Sequence, residues 1–318
     1  MKKKVLIILA SLLGSLLLAF VLVGIYMVDY SLTPSDHLKG YDGSREKVLR
    51  RNPEIVAWQD SLRTAGVLRD TCIAGDGGYI LHAVYCPAGN PANAGGTALL
   101  IHGYTDSYFG MLEIARMYRD SLNFNFLAPD LHFHGMSEGR AVRMGWLDRL
   151  DARRWGELAH DIWKDDFLVV HGVSMGAATT MMLSGETLPS YFSAFVEDCG
   201  YSDVWHQFAH NLKDIFGLPP FPVLHSADII CRLRYGWGFR QASSVKQLDK
   251  STRPMLFIHG GNDDFVPTDD VYVNYAAKTH GLKRIWIAPG SGHATSYRDY
   301  PAQYTARVRS FLEEVKGL

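Results

Sequence analysis

The chain has 318 residues, 47% of them hydrophobic and 20% charged, with a formal net charge of −1 at pH 7. That length allows one large domain with a small insertion. The balanced charge gives no electrostatic case for nucleic acid, and no internal repeat or low-complexity tract appears.

The N-terminus departs from this average. Lys2, Lys3 and Lys4 precede VLIILASLLGSLLLAFVLVGIYMV, residues 5 to 28, a stretch without charge. At about 1.5 Å per helical residue it reaches roughly 36 Å, enough to cross a hydrocarbon core about 30 Å thick. A cleaved signal would have a shorter apolar region and a small-x-small cleavage site. Here the positions after Ala19 stay apolar as far as Asp29. Residues 1–30 therefore read as an uncleaved signal anchor, a single N-terminal transmembrane helix. Three lysines precede the span and none follows until Lys39, which places the N-terminus in the cytoplasm and the rest of the chain outside it.

Residues 31–66 read as a polar, turn-rich stalk followed by a helix over NPEIVAWQDSLRTAG, with Asn52 as cap, Pro53 in its first turn and Gly66 as its stop. Ile55, Val56, Trp58 and Leu62 would form its buried face. Two strands joined by Asp76-Gly77-Gly78 come next, a hairpin. From Thr97 the chain alternates. Apolar strands at TALLIHG, FNFLAPD, FLVVHG, YFSAFVED, RPMLFIHGG and KRIWIAPG are separated by helices, among them GMLEIARMYRD and MGAATTMMLSG. This alternation predicts an α/β fold with a mostly parallel central sheet and helices on both faces. Residues 201–250 break the rhythm. They hold Trp205, Phe208, Phe216, Phe221, Tyr235, Trp237 and Phe239, with Pro219-Pro220 between two helix-like pieces. They read as a small helical cap over the carboxyl edge of the sheet, its aromatics either core or pocket lining.

Four cysteines, Cys72, Cys86, Cys199 and Cys231, match no zinc spacing. Counted from the hairpin turn, Cys72 and Cys86 do not fall opposite each other. A Cys199–Cys231 bridge and four free thiols both stay open.

In an open parallel sheet, ligands bind beyond the carboxyl ends of the strands. There the chain carries HGYTDS, DLHFHGMSEG, HGVSMG, HGGNDDFVP and GSGHATS. Ser174 occupies a Gly-x-Ser-x-Gly turn between an apolar strand and a helix of small residues, where a nucleophile would be displayed. A serine hydroxyl needs a base, and His293 lies after the last strand; the imidazole needs a carboxylate, and Asp263 is favoured over its neighbour Asp264. The backbone N–H groups of Tyr104 and Met175 are candidate donors to an oxyanion. His132, His134 and Asp130 have metal-ligand types, but an internally bonded loop suits them better. His102, His171 and His259 each precede a glycine at a strand end and read as buried and structural.

With these residues in place, the sequence resembles the α/β-hydrolase superfamily from about Val67 to Leu318. HGYTDS looks like its oxyanion loop, HGVSMGA like its nucleophile elbow, GSGHA like its histidine loop and LFIHGGNDDFVP like its acid segment, where the acid falls on Asp263. Within the superfamily it is most similar to bacterial membrane-anchored hydrolases of lysophospholipase-like and esterase-like type. One departure is DLHFHGMS, where many lysophospholipase and monoglyceride lipase relatives carry Asp-x-Arg-Gly-His-Gly-x-Ser; His132 and Phe133 replace the Arg and Gly. HGYTDS likewise lacks the Gly-Glu-His of monoglyceride lipases. The resemblance implies a serine hydrolase of carboxylic esters, with lysolipid, monoacylglycerol or aryl esters as candidates and neither cofactor nor metal required. Amide or peptide cleavage by the same residues is the near alternative. A membrane-tethered binding protein without activity is the rival class, and intact Ser174, Asp263, His293 and Gly103 speak against it.

Overall fold

A computed structural model of the chain describes residues 2–34, 40–75 and 77–317. Asp76 of the expected hairpin turn and residues 35–39 of the expected stalk lie outside the described residues. Helix α1 runs from Lys2 to Leu32, α2 from Gly40 to Arg51 and α3 from Pro53 to Thr64. Helix α2 begins inside the stretch read as stalk.

Helix α3 starts as its sequence dictates. Pro53 takes a position whose N–H would be unsatisfied, and the Asn52 Oδ1 accepts from the Ile55 N–H at 3.2 Å. Ile55, Val56 and Leu62 are buried as expected. The fourth buried position belongs to Gln59, whose amide donates to the Tyr108 hydroxyl at 3.1 Å, while Trp58 stays half-buried.

Strands β1 (Arg69–Ala74) and β2 (Ile80–Cys86) form the antiparallel hairpin, with Cys72 opposite His82. Strands β3 (Thr97–Ile101), β4 (Asn125–Pro129), β5 (Leu168–Val173), β6 (Phe192–Asp198), β7 (Met255–Gly260) and β8 (Lys283–Ala288) run parallel to one another, in the sheet order β1-β2-β4-β3-β5-β6-β7-β8. Strands β3 to β5 are buried on both faces, which explains why they read as continuous apolar runs. Leu99 and Ile101 point into one core, and Ala98 and Leu100 into the other. The first core packs under α5 (Asp148–Trp163) and α6 (Met175–Ser184); the second packs under α3, α4 (Leu112–Arg116) and the closing helix, Pro301–Lys316. Met111, Ile114, Ala115 and Tyr118 are buried as their spacing predicts. They belong, however, to a 3-10 turn, a short α-helix and a wider π turn (Met117–Ser121) rather than to one helix.

Between β6 and β7 stand α7 (Val204–Phe216), α8 (Val223–Tyr235) and α9 (Ser244–Leu248). Trp237 and Phe239 are core, whereas Phe221 is 70% exposed. All four cysteines are free, with Cys199 and Cys231 buried apart from any bridge.

The turn between β5 and α6 is closely packed. A Cβ on Gly172 would lie 2.0 Å from the Gly176 carbonyl oxygen, and one on Gly176 would lie 2.0 Å from the Ile101 carbonyl oxygen. Backbone, not a movable side chain, forbids both. Gly176→Ala is therefore expected to destabilise the protein by about 3 kcal/mol or more, read as a melting temperature lower by roughly 6 °C or more. An unchanged melting curve would refute this account of the two glycines.

Candidate active site

Three strand ends bring the expected residues together. Ser174 follows β5 and caps α6 with φ 58° and ψ −118°, a strained backbone for a residue with a Cβ. Its N–H donates to the Asp198 carbonyl at 2.8 Å and its own carbonyl accepts from Ala178 at 3.0 Å, so both neighbouring elements hold the corner in place. The side chain is thereby lifted out of the sheet. The Ser174 hydroxyl lies 2.8 Å from His293 Nε2, and His293 Nδ1 lies 2.8 Å from Asp263 Oδ2. Nδ1–H donating to the carboxylate leaves the Nε2 lone pair facing the serine hydroxyl.

Asp263 is buried, and its second oxygen accepts from the N–H groups of Phe265 and Val266 at 3.1 and 3.0 Å. Burial alone would raise its pKa. The hydrogen bonds from His259 and His293 outweigh that and hold the carboxyl down at about 2. Asp264 is exposed and its side chain takes no part.

The reading of His259 as merely structural missed its contact with the site. It is fully buried, donates from Nε2 to the Val266 carbonyl at 2.9 Å and lies 3.3 Å from Asp263 Oδ2. Burial disfavours its charged form, but the bond to Asp263 and the nearby Glu197 raise its pKa above the usual value. The only sequence signal was the i, i+4 spacing of His259 and Asp263 across a strand end. Beneath Ser174, His171 is bonded by the Tyr118 and Tyr304 hydroxyls at 3.1 and 2.9 Å, and burial drops its pKa to about 3. It is structural, as read.

The loop of His132 and His134 is bonded internally. His134 Nδ1 donates to the His132 carbonyl at 2.9 Å, and its Nε2 accepts from the Thr105 N–H at 3.2 Å. Asp130 accepts from Tyr108 N, Met136 N and His82. Among the described residues, Cys199, Asp263 and His293 come within 4.8 Å of one another with metal-ligand atoms. Burial, with Asp198 and Asp263 adding to it, pushes the Cys199 thiol well above its usual pKa, which disfavours the thiolate a metal would take.

Gly103 lies beside the serine: a Cβ there would sit 3.3 Å from the Ser174 Cβ. The loop that follows, Tyr104 and Thr105, lines a cavity of about 650 Å³ together with Ser174, Met175 and apolar residues of the cap. A smaller cavity of about 260 Å³ opens on the other side of Ser174 and His293, lined by Arg51, Asp106, Thr295 and Arg298. The serine thus has one large, mostly apolar side and one small side of mixed polarity, where Met111, Ile114 and Tyr297 stand among the charged residues.

Residues 146–318, just over half the chain, match the model of the prolyl oligopeptidase family. An uncharacterized protein of Bacillus subtilis, YqkD, is 30% identical over 71% of this chain and 73% of its own length. The Pyrococcus furiosus esterase Pf2001 superposes with a TM-score of 0.64 at 20% identity, covering 80% of this chain and 95% of the esterase. A membrane phospholipase A described as a bacterial virulence factor gives 0.57 at 15% identity, covering 85% of this chain and 94% of its own. At such identities the two solved structures speak for the fold. With the family match and the sheet order, they make this chain a member of the prolyl oligopeptidase family and a serine hydrolase of the α/β-hydrolase fold.

Proposed function

We propose that this serine hydrolase cleaves carboxylic esters with an apolar acyl group through an acyl-enzyme on Ser174. The Ser174 oxygen attacks the ester carbonyl carbon while His293 Nε2 takes the hydroxyl proton. Asp263 holds the imidazole in the tautomer this requires and stabilises its cation. His293 then passes the proton to the departing alkoxide. A water, deprotonated by the same nitrogen, attacks the acyl-enzyme and releases the carboxylic acid. The Tyr104 and Met175 amides carry the charge on the carbonyl oxygen, each contributing about 2.7–4 kcal/mol to the transition state. No metal or organic cofactor enters these steps.

The observation that carries the reading is the 2.8 Å and 2.8 Å chain from Ser174 through His293 to Asp263, opening into an apolar cavity. The large apolar cavity suits the acyl group and the small one, of mixed polarity, the leaving group. Residues 1–30 act as the membrane anchor, with the N-terminus cytoplasmic and the hydrolase domain (67–318, cap 201–250) extracytoplasmic. The length and apolarity of α1 support the anchor; among the described residues it alone is long and apolar enough to span a membrane.

Amide or peptide hydrolysis by the same residues is the second reading, favoured by the family match. A panel of p-nitrophenyl acyl esters against aminoacyl p-nitroanilides separates the two. The ester reading expects kcat/KM to rise with acyl length and to exceed every anilide by about 100-fold or more. An anilide or short peptide turned over as fast as the best ester would overturn it.

A further inference from the structure

Helix α1 has two halves with different surroundings. Residues Val5 to Leu18 stand exposed on every side, whereas Gly24, Val28 and Leu32 are buried at four-residue spacing. The buried stripe faces the cap. A Cβ on Gly24 would lie 2.2 Å from Ser226 Oγ and 2.9 Å from Ile230 Cγ1, so only glycine allows α1 and α8 to approach this closely. The Ser226 hydroxyl donates to the Phe20 carbonyl, and Arg234 pairs with Asp29. Residue numbers rise together along both helices, so they run parallel, and from Phe20 to Asp29 α1 climbs about 13 Å.

That geometry places the amino-terminal end of α8 alongside the apolar part of α1. The neighbouring cap segment, residues 215–227, contains no Asp, Glu, Lys or Arg, as residues 5–28 contain none. It exposes Ile215 (56%), Leu218 (39%) and Phe221 (70%), and α8 adds Ile229 (47%) and Leu233 (80%). An uncharged cap tip beside an uncharged spanning helix sets exposed apolar side chains next to one another, with the Asp29–Arg234 pair at one end. Surfaces of this kind lie in the boundary between lipid headgroups and acyl chains.

The large cavity joins this surface to the serine. Its floor is Ser174 and Met175, its cap side includes Phe216 and Val223, and one of its walls is α1 through Tyr26, Met27 and Tyr30. The end of α1 is fastened to the same loop that borders the serine. The Tyr104 hydroxyl donates to the Ser31 carbonyl at 2.9 Å, and the Val142 N–H donates to the Leu32 carbonyl at 2.8 Å, both carbonyls of the helix's last turn.

We propose that the membrane helix is one wall of the acyl-binding site, and that the substrate is a bilayer-resident ester whose acyl chain enters between α1 and the cap to lie against Tyr26, Met27 and Tyr30. This rests on the ester-hydrolase reading and narrows its substrate to membrane amphiphiles. The smaller cavity beyond the serine, which carries Arg51, Asp106 and Arg298, then receives the headgroup side of the ester.

The full chain in lipid nanodiscs, assayed with p-nitrophenyl acetate and p-nitrophenyl dodecanoate, tests this. Met27→Trp fills the wall and is expected to lower kcat/KM for the dodecanoate about tenfold or more, with the acetate within about twofold of wild type. Tyr30→Ala, at a half-exposed position tolerant of change, is expected to raise KM for the dodecanoate about fivefold and leave the acetate alone. Leu13→Trp, on the lipid-facing half of α1, changes neither. Equal effects on both esters in both wall variants would mean that α1 only props the fold, and no effect on either would mean that the acyl chain lies elsewhere; each overturns the proposal. A wild type that hydrolyses neither ester would sink the ester reading itself, and this proposal with it.

Discussion

Ser174→Ala is expected to lower kcat for a short acyl ester by about a million-fold and to abolish labelling by a fluorophosphonate probe. The size follows from the site. Ser174 Oγ is the atom bonded to His293 Nε2 at 2.8 Å, and no other hydroxyl is bonded to that nitrogen among the described residues. The substitution leaves the fold alone, because the corner is held by backbone: Ser174 N–H to Asp198 and Ala178 N–H to Ser174. The same melting temperature with no turnover is the expected pair of results. A variant that keeps activity within tenfold of wild type would remove Ser174 from the chemistry, and a wild type that never labels would do the same.

Asp263→Asn is expected to cost about 10⁴-fold in kcat with little change in KM. The backbone donors at Phe265 and Val266 would keep the asparagine oxygen where Oδ1 now sits, turning its NH₂ toward His293 and His259. A donor in that position faces Nδ1 and forces the proton onto Nε2, where it blocks proton transfer from Ser174. Asp264→Asn, on an exposed side chain, is the matched control and should alter the rate less than twofold. Comparable losses in the two variants would reverse the assignment of the acid. The carboxylate also links the site to acid stability. Its folded pKa of about 2 is depressed below the ordinary 3.8, so its stabilisation is present above the unfolded value and fades as pH falls from about 4 through 2. The shift corresponds to roughly 2 kcal/mol. Asp263→Asn should flatten that part of the stability curve, measured by urea unfolding between pH 2 and 6.

Much of this site was legible because its residues sit where local patterns change. A run of apolar residues ending in HGVSMG marks a strand giving way to a helix, and two glycines flank the serine because the Ile101 and Gly176 carbonyls leave no room for a Cβ. Asp263 and His293 were picked out the same way, as residues beyond later strand ends, and the structure brings both to Ser174. His259 was not, because its role depends on a 3.3 Å approach to a carboxylate that periodicity does not encode. Its own position, buried at the end of a strand, looks the same for a packed histidine as for one that braces the acid.

The succession of strands, both buried faces of the sheet and the long apolar N-terminal helix follow from the sequence by itself, since each rests on spacing within 10 to 30 residues or so, whereas α2, inside the stretch read as stalk, did not. The split of GMLEIARMYRD into three kinds of turn did not follow, although its buried positions did. Where α1 goes after leaving the body was decided only by the tertiary structure. Gly24 meets Ser226, Asp29 meets Arg234 and Ser31 meets Tyr104 across some 70 to 200 residues of chain. A stretch without charge fixes how long a helix is and how apolar, but its partner is chosen by shape: a glycine opposite a serine lets two backbones close, and the pocket wall forms only once they have.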